Sequence, residues 1–501
     1  MNRTFVAMLG SLLILGGLLG LMMFDSGSSA GGTIMFFCAA SNRAVMEEIE
    51  TEYEAETGRN VEIRYDASQT LLSSIEVSRS GDLYLPADAG YLTLAKEKGL
   101  SAEVIPVARQ KGVIAVRKGN DKNIQTFADL LNPDIVLVQA NPDATAIGKV
   151  TRRELKKQDL WEQLDKATTA YRGTVTEVAN DLLVDAADVG IVYDAVLHTY
   201  PGLEFISIPE LKGTESRIGI TVIADSKQPA AALHFARYVA ARDRGLKHYA
   251  AHGFTIEDGD HWDDRPDVSV FAGSMLRPAI DRTIKDFEKR EGVRVTRVYN
   301  GCGILVAQMK AGQKPDAYFA CDLEFMQQVK DLFPDPTNVS ENELVILVQK
   351  GNPKKIASLE DLTANGLRVG VGHEKQCAMG WITQNVLKES GLQSEVMENV
   401  TVQVPTGDML VNELRAGALD AAVVYLSNAA GSVEYVDAVR IKGLDCSIAI
   451  QPFAIAEQSR YRQITERLFE RIISTESQDQ FRAEGFRWKA DEAQESLDRR
   501  R

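Results

Sequence analysis

Short apolar runs alternate with amphipathic stretches along the first half of the chain. Residues 33–39 form an apolar run that predicts a strand, and residues 45–53 follow with apolar positions at helical spacing, closed by Gly58. Residues 61–65 and 83–86 predict two more strands, with a second amphipathic stretch between them. This alternation of strand and helix predicts a parallel sheet with helices on both faces.

The same alternation continues beyond the first three strands. Residues 112–116, 135–139 and 190–193 predict further strands with helices between them, and residues 228–251 predict a closing helix. This stretch is long enough for two small α/β lobes, and we expect the closing helix to pack back on the first lobe.

The second half of the chain repeats the first. CAASNRAVMEEIETEYEAETGRNVEIRYDAS, from Cys38, matches FAGSMLRPAIDRTIKDFEKREGVRVTRVYNGC, from Phe271, and GDLYLPAD matches PDAYFACD in the same order. VRKGN and VQKGN, GIVY and AVVY, and YAAHGF and FRAEGF continue the series at an almost constant offset of about 230 residues. The chain is therefore predicted to hold two copies of one unit, at residues 31–260 and 261–501.

The N-terminal segment has a separate character. Residues 5–24 carry no charge and follow Arg3, which is typical of a signal peptide and is also long enough for a membrane-spanning helix. Residues 1–30 are therefore interpreted as a signal peptide or an N-terminal membrane anchor. Either alternative places the rest of the chain outside the cytoplasm, in the periplasm or its equivalent, because Arg3 stays inside.

Composition and charge exclude several classes of function. The formal net charge is −15, and no basic stripe stands out, so a nucleic-acid partner is not expected. The five cysteines show no CxxC spacing, which argues against a zinc site. Because the six histidines show no metal-ligand spacing and no nucleophile is paired with a base, we expect neither an enzyme nor a cofactor.

The candidate chemistry lies where predicted strands end and helices begin. Ser41 and Ser68 each follow a strand and open a helix, so each is either a plain helix cap or part of a shared site. Residues 141–148 form another strand-to-helix loop, and Tyr193 ends an apolar strand. Ligands bind beyond the carboxyl ends of such strands, and neutral donors at helix N-termini suit an oxyanion.

The ordered series of motifs resembles the molybdate-binding proteins of ABC importers, a branch of the type 2 periplasmic binding proteins. AASNRAVMEEIETEYEAETG, DLYLPAD, VRKGN, GIVY and HGF carry the resemblance, over residues 33–256 and again over 268–488. It implies two lobes that close by a hinge around one molybdate or tungstate ion, which an ABC permease in the membrane then receives.

Carried over by position, the resemblance implies a set of donors in the first cleft. Ser41 and Ser68 would supply hydroxyl and backbone donors, Ala144 or its neighbours and Val178 backbone N–H groups, and Tyr193 a phenol. No cofactor beyond the bound anion is implied.

Two acidic residues depart from this pattern. Asp143 and Glu177 stand beside the expected donor loops, where a carboxylate would repel an oxyanion. They are either solvated loop charges or direct ligands of the metal centre, as in the tungstate-binding relatives that the family resembles more distantly. Ferric iron, sulfate and phosphate remain alternative ligands.

The second copy departs further. Ser274 and Tyr425 keep their counterparts' residue types, but Cys302 replaces the second serine and Cys377 replaces a threonine. Because a neutral thiol is a poor donor, the second cleft is expected to bind oxyanions less well. The alternatives are a drifted cleft, a Cys302–Cys377 disulfide that latches the lobes, and a thiolate metal site with His373.

Two function classes therefore remain in competition. The first is a receptor that captures an oxyanion for an ABC importer, and the second is a membrane-anchored sensor or scaffold that uses the same fold. Retention of residues 5–24 as an anchor would favour the second.

Overall fold

The computed structural model of the protein describes residues 32–491 and residue 493. The predicted signal peptide or anchor at residues 1–30 lies outside the described residues. Within the described ranges, no helix is both long enough and apolar enough to cross a membrane.

The chain divides into two compact units. The first comprises the residues up to Val104, together with Arg109–Phe235 and Ala251–Phe254. The second comprises Ile105–Ala108, Ala236–Ala250 and the chain from Thr255 onward.

Ten strands lie between residues 34 and 223. They are β1 (Ile34–Ala39), β2 (Val61–Asp66), β3 (Leu83–Leu85), β4 (Ser101–Gln110), β5 (Gly112–Arg117), β6 (Leu137–Ala140), β7 (Thr168–Arg172), β8 (Val189–Tyr193), β9 (Leu203–Ile206) and β10 (Ser216–Ile223). The α-helices as far as residue 251 are α1 (Arg43–Thr57), α2 (Ser68–Ser78), α3 (Ala89–Glu97), α4 (Ala146–Lys156), α5 (Trp161–Ala167), α6 (Val175–Leu183), α7 (Pro229–Val239) and α8 (Gly245–Ala251).

These strands form the two sheets expected of a two-lobed unit. In the first lobe the strand order runs β4-β10-β3-β1-β2, with β1 parallel to both β2 and β3. In the second lobe the order is β7-β6-β8-β5-β9, with β6 parallel to β7 and β8. The predicted α/β fold class is therefore confirmed for this half of the chain.

Helix α1 shows how the sequence pattern determines the buried face and the end of a helix. Val45, Met46, Ile49 and Tyr53 recur at helical spacing and are all buried. The helix ends at Gly58, whose φ of 68° is readily adopted by glycine because it has no Cβ. Both features follow the prediction.

The closing segment differs from its prediction. In place of one helix over residues 228–251, the chain forms α7 and α8 with a break between them. A Cβ on Gly245 would lie 2.2 Å from the Val239 carbonyl oxygen, so the second helix starts where the chain folds back tightly on the end of the first. The start of α7 does pack on the first lobe, where Tyr53 and His234 form a 2.9 Å hydrogen bond.

The second unit repeats the architecture with its own strands and helices. The strands are β11 (Thr255–Ile256), β12 (Asp267–Gly273), β13 (Arg294–Asn300), β14 (Ala317–Phe319), β15 (Thr337–Gln349), β16 (Val369–Gly372), β17 (Val400–Val404), β18 (Ala421–Tyr425), β19 (Val436–Arg440), β20 (Ile448–Ile455) and β21 (Arg487–Trp488). The helices are α9 (Arg277–Glu291), α10 (Cys302–Lys310), α11 (Leu323–Gln327), α12 (Ala378–Glu389), α13 (Gln393–Glu398), α14 (Gly407–Arg415), α15 (Leu426–Ala430), α16 (Arg462–Ile472) and α17 (Thr475–Ala483).

Strand β15 joins the two lobes of this unit. Residues 337–343 pair with β20 in the first lobe, and residues 344–348 pair with β18 in the second. The strand order β13-β12-β14-β20-β15-β18-β16-β17 therefore passes through both lobes. This is the crossing strand that the two-lobed architecture requires.

A buried ion cluster stabilises the second unit. Glu291 is 1% exposed and accepts hydrogen bonds from Arg467 Nε and Nη2 at 2.7 and 3.0 Å. Arg237 donates to the Glu291 carbonyl oxygen at 2.6 Å. Burial alone would raise the pKa of Glu291. The charge and hydrogen bonds of Arg467, together with the charge of Arg237, lower this pKa below its ordinary value.

Candidate oxyanion site in the first unit

A small cavity lies at the carboxyl ends of the strands of the first unit. Its volume is about 20 Å³. Residues from both lobes of the unit line it: Ala39, Ala40, Ser41, Asp66, Ala67, Ser68, Ala87, Thr145, Ala146, Ile147, Thr174, Val175 and Tyr193. These lining residues, all within the described part of the chain, include no lysine, arginine or histidine.

The sheet topology brings the first lobe's share of this lining together. Strands β1, β2 and β3 are parallel neighbours, so their carboxyl ends meet at one edge of the sheet. Ser41, Ser68 and Ala87 each follow one of these strands. The predicted convergence of the two serines therefore holds in the structure.

Ser68 is positioned as a hydrogen-bond donor. It is 2% exposed, and its Oγ accepts a hydrogen bond from the Ala87 backbone N–H at 3.1 Å. Tyr84 holds the same residue from the other side by donating to the Ser68 carbonyl oxygen at 2.8 Å. Because the backbone N–H already fills an acceptor position, the hydroxyl hydrogen can be directed at a bound anion.

Ser41 has a similar arrangement. It lies in the short 3-10 helix Ala40–Asn42 between β1 and α1, and its Oγ accepts a 3.1 Å hydrogen bond from Asn42 Nδ2. Its hydroxyl hydrogen is likewise left for a ligand. The two serines thus offer two neutral donors from adjacent strand ends.

The second lobe contributes the N-terminus of α4, although not through Ala144. The Ala144 N–H donates to the Asn141 carbonyl oxygen at 3.2 Å, so it is already used inside the loop. Thr145 caps the helix by accepting from the Gly148 N–H at 3.1 Å, and Ala146 and Ile147 occupy the first turn at the cavity. The backbone N–H groups of that turn have no partner within the helix and are therefore available to a ligand.

Val178 is also displaced from its predicted role. It lies inside α6 as a fully buried core residue and does not line the cavity. Thr174 and Val175, at the start of the same helix, line the cavity instead, and Thr174 caps the helix by accepting from the Glu177 N–H at 3.2 Å. The structure therefore places the start of this helix, and not Val178, at the cavity, and the donor role of the loop stays a prediction.

Tyr193 lines the cavity at the end of β8. It is 1% exposed, and its hydroxyl forms a 3.0 Å hydrogen bond with Ser216 Oγ. Burial raises the pKa of this phenol well above its ordinary value, so the group stays neutral. A neutral phenol held in this way suits an anion, whereas iron coordination requires the phenolate.

The carboxylates of Asp143 and Glu177, which depart from the family pattern, do not line the cavity. Asp143 has a side chain that is 79% exposed and pairs with Arg152 Nη1 at 2.8 Å. Glu177 is exposed and accepts from the Gly173 N–H at 2.9 Å. Neither residue lines the cavity, and the described residues include no group of three or more histidine, cysteine, aspartate or glutamate side chains placed to hold a metal ion.

Asp66 lines the cavity and was missed by the sequence reasoning. It is the last residue of β2, and its Oδ1 accepts from the Ala67 backbone N–H at 2.7 Å. The sequence could have indicated Asp66, because residue 66 lies between the predicted strand at residues 61–65 and Ser68 and must therefore lie at the same edge of the sheet. Asp66 places one negative charge beside a site otherwise composed of neutral donors.

The second unit holds the counterparts of these residues with altered chemistry. Ser274 follows β12, Cys302 begins α10, and Tyr425 ends β18. The Tyr425 hydroxyl is buried without a hydrogen-bond partner in the described structure, because Ile448 begins β20 where Ser216 begins β10.

Cys302 and Cys377 of the second cleft do not form the disulfide bond that the sequence left open as one of three alternatives. All five cysteines of the chain are free, and Cys302 Sγ lies 2.9 Å from Cys321 Sγ rather than bonded to Cys377. Cys377 caps α12, where its Sγ accepts from the Gly380 N–H at 3.4 Å. Among the described residues, no group of three or more histidine, cysteine, aspartate or glutamate side chains that could hold a metal ion includes Cys302, Cys377 or His373.

A larger cavity of about 360 Å³ lies elsewhere in the second unit. Asp408, Ser427, Asn428 and Glu484 contribute its polar lining. Two carboxylates in the lining oppose an anion, and none of the cysteines contributes to it.

Two lobes joined by a crossing strand, as β15 joins them in the second unit, and a small cavity lined by both lobes, as in the first unit, define a two-lobed binding protein. Residues 34–255 and residues 268–487 each match the model of the bacterial extracellular solute-binding protein family. The chain therefore belongs to that family and carries its unit twice, as a tandem type 2 periplasmic binding protein. The predicted duplication and fold class are confirmed.

Relatives with curated descriptions match one unit's length of the chain. The molybdate-binding protein ModA of Mycobacterium tuberculosis is 30% identical over 200 residues, which are 39% of this chain and 74% of that protein. The molybdate-binding protein ModA of Escherichia coli is 25% identical over 151 residues, 28% of this chain and 58% of that protein. The solved structure of the Azotobacter vinelandii periplasmic molybdate-binding protein aligns with a TM-score of 0.40 and 14% identity, over 45% of this chain and all of that protein.

Proposed function

We propose that the first unit captures a tetrahedral oxyanion, molybdate or tungstate, and that the chain delivers it to an ABC permease. The observation that carries the proposal is the donor set of the cavity. Ser41 and Ser68 have hydroxyl hydrogens left for a ligand, and two helix N-termini at Ala146 and Val175 face the same space. The relatives named for molybdate binding support the same ligand class.

The charge of the chain makes local donors necessary. At a formal net charge of −15, the overall field repels an anion, so the affinity must come from oriented dipoles close to it. Hydrogen bonds to a charged group contribute about 1.5–3 kcal/mol each. Several such donors around one cavity add up to the interaction that the proposed capture of an anion requires.

The proposed role is capture rather than catalysis. Among the described lining residues, the serines of the cavity have neither a histidine nor a lysine beside them, the bases that usually activate a serine nucleophile. The family consists of extracellular solute-binding proteins, which supports the same role.

Asp66 favours a second candidate ligand, a protonated oxyanion such as phosphate. A carboxylate accepts hydrogen bonds and offers none, so it repels an ion without protons. Singly protonated phosphate could donate its proton to Asp66, whereas molybdate is fully ionised at neutral pH. The two candidates therefore predict opposite roles for this one side chain.

Isothermal titration calorimetry separates the candidates. Molybdate, tungstate, sulfate, phosphate and ferric citrate are titrated separately into the chain after bound ions have been stripped. The proposal predicts tight binding of molybdate or tungstate at one equivalent per chain. Preference for phosphate would support the second candidate, and binding of ferric citrate alone would overturn both.

A further inference from the structure

The second unit contains a pair of cysteines at the edge of its first-lobe sheet. Cys302 begins α10 and Cys321 follows β14, and their sulfur atoms lie 2.9 Å apart. Both residues are buried. The Cys321 backbone N–H donates to Cys302 Sγ at 3.1 Å, which repeats the hydrogen bond from Ala87 to Ser68 in the first unit.

The residues around the pair are substituted in a coordinated way. Cys321 stands where the first unit has Ala87, and Gly273 stands where it has Ala40. A Cβ on Gly273 would lie 1.9 Å from Cys321 Sγ and 3.2 Å from Cys302 Sγ. Gly273 has a φ of −60°, which any residue adopts, so the glycine is needed for space and not for its backbone conformation. The absence of a side chain at Gly273 therefore makes room for the second sulfur.

The positions of the strands suit a bond between the two sulfur atoms. Strands β13 and β14 flank β12 in one sheet, so the two cysteines lie on either side of Gly273 at the end of β12. A disulfide bond is about 2.05 Å long, so the sulfur atoms have to approach by less than about 1 Å. Adjustment of the two side chains supplies a movement of this size without displacing the strands.

The environment of Cys302 suits it to be the attacking thiol. Burial opposes ionisation, but the hydrogen bonds from the Cys321 thiol and backbone N–H lower the pKa of Cys302. The hydrogen bond to Cys302 and burial raise the pKa of Cys321. The two cysteines thus differ in acidity, and Cys302 is the more acidic thiol of the pair.

We propose that Cys302 and Cys321 form a reversible disulfide by exchange with an external disulfide, which makes the second unit redox-active. The sulfur of Cys321, which is 6% exposed whereas Cys302 is 0% exposed, exchanges first with the external disulfide RSSR and releases one thiol, RSH. The Cys302 thiolate then attacks the Cys321 sulfur in the mixed disulfide and releases the second RSH. The two cysteines are oxidised, RSSR is reduced to two thiols, and the two protons of the cysteines end on the released thiols.

The compartment of the family supports this proposal. Extracellular solute-binding proteins work where disulfides form and persist. Oxidation would also remove both thiol hydrogens from the position where the first unit places its Ser68 donor. The oxidised second cleft would then have no side-chain donor at that position.

Thiol counting and peptide mapping test the proposal. The full chain is reduced, freed of reductant and exposed to oxidised glutathione, and its thiols are then counted under denaturing conditions. We expect the number of free thiols to fall from the five of the sequence by two, and dithiothreitol to restore them. Mass spectrometry of unreduced peptides should find Cys302 linked to Cys321.

Matched variants separate this pair from the other cysteines. Cys377→Ser should still lose two thiols, whereas Cys302→Ser and Cys321→Ala should form no intramolecular disulfide. Cys321→Ala restores the first unit's residue and is expected to fold. Five persistent thiols, a stable mixed disulfide with glutathione, or a linkage through Cys377 in the unaltered chain would each overturn the proposal.

Discussion

Replacement of Ser68 by alanine removes the donor on which the proposed site depends most. The hydroxyl is 2% exposed, and the Ala87 N–H fixes its acceptor side at 3.1 Å. The substitution therefore deletes an oriented donor without adding bulk. It also leaves the Ala87 N–H without its partner.

The expected magnitudes follow from these two losses. A hydrogen bond to a charged ligand contributes about 1.5–3 kcal/mol, which corresponds to a roughly 10- to 150-fold loss of affinity. A buried N–H left without a partner costs about 1–3 kcal/mol of folding stability. Ser68→Ala should therefore weaken oxyanion binding and lower the free energy of unfolding together.

Calorimetric titration with molybdate measures the first effect, and urea unfolding without ligand measures the second. Ser73→Ala is the matched control, because Ser73 lies on the same helix, is exposed and accepts only from Gln69 Nε2. Unchanged molybdate affinity in a folded Ser68→Ala chain would refute the assignment of this hydroxyl as a donor.

Three further substitutions give distinct outcomes. Asp66→Asn should strengthen molybdate binding at least about tenfold by calorimetry, because it removes a like charge; weaker binding would contradict this. Tyr193→Phe should weaken molybdate binding by roughly 2- to 10-fold, and no change would remove the phenol from the site. Glu291→Gln should cost about 3–5 kcal/mol in urea unfolding, since Arg467 loses its buried partner, whereas exposed Asp286→Asn should stay within about 0.5 kcal/mol. Equal losses would contradict the burial argument.

The Glu291 contribution also has a defined pH dependence. Its pKa is lowered in the folded chain from an ordinary value of 4.5, so its stabilisation is present above that pH and is lost as pH falls through the folded value. The unfolding free energy of the unaltered chain should fall more steeply below about pH 4.5 than that of Glu291→Gln. Parallel profiles would show that the cluster does not titrate with unfolding.

The sequence predicted the architecture and the first-lobe serines because both depend on order along the chain. Parallel strands that follow one another end at a common edge, so Ser41 and Ser68 had to converge once the strands were located. The repeat fixed the second copy in the same way. Neither inference required knowledge of individual contacts.

The second-lobe donors depended on details that spacing does not encode. Ala144 and Val178 each lie within four residues of the residues that line the cavity, but the helix starts at Ala146 and Val175 decide which N–H groups are free. A helix start is set by the cap that Thr145 or Thr174 forms, and boundaries inferred from periodicity are uncertain by such distances.

The cysteine pair was missed for a related reason. Comparison of the two copies at hydroxyl positions drew attention to Cys302 and Cys377 and passed over Cys321, whose counterpart is Ala87. An apolar counterpart carries no signal of a polar site. Only the sheet geometry shows that the ends of β13 and β14 lie close enough for their sulfur atoms to meet.

Anomalous diffraction from crystals of the chain grown with tungstate would test the central claim most directly. The account predicts a tungsten peak in the cavity of the first unit, with anion oxygens about 2.5–3.2 Å from Ser41 Oγ and Ser68 Oγ and from the backbone nitrogens of the first turn of α4. A tungsten peak only in the 360 Å³ cavity of the second unit, or an empty first cavity in a chain that binds tungstate, would contradict it.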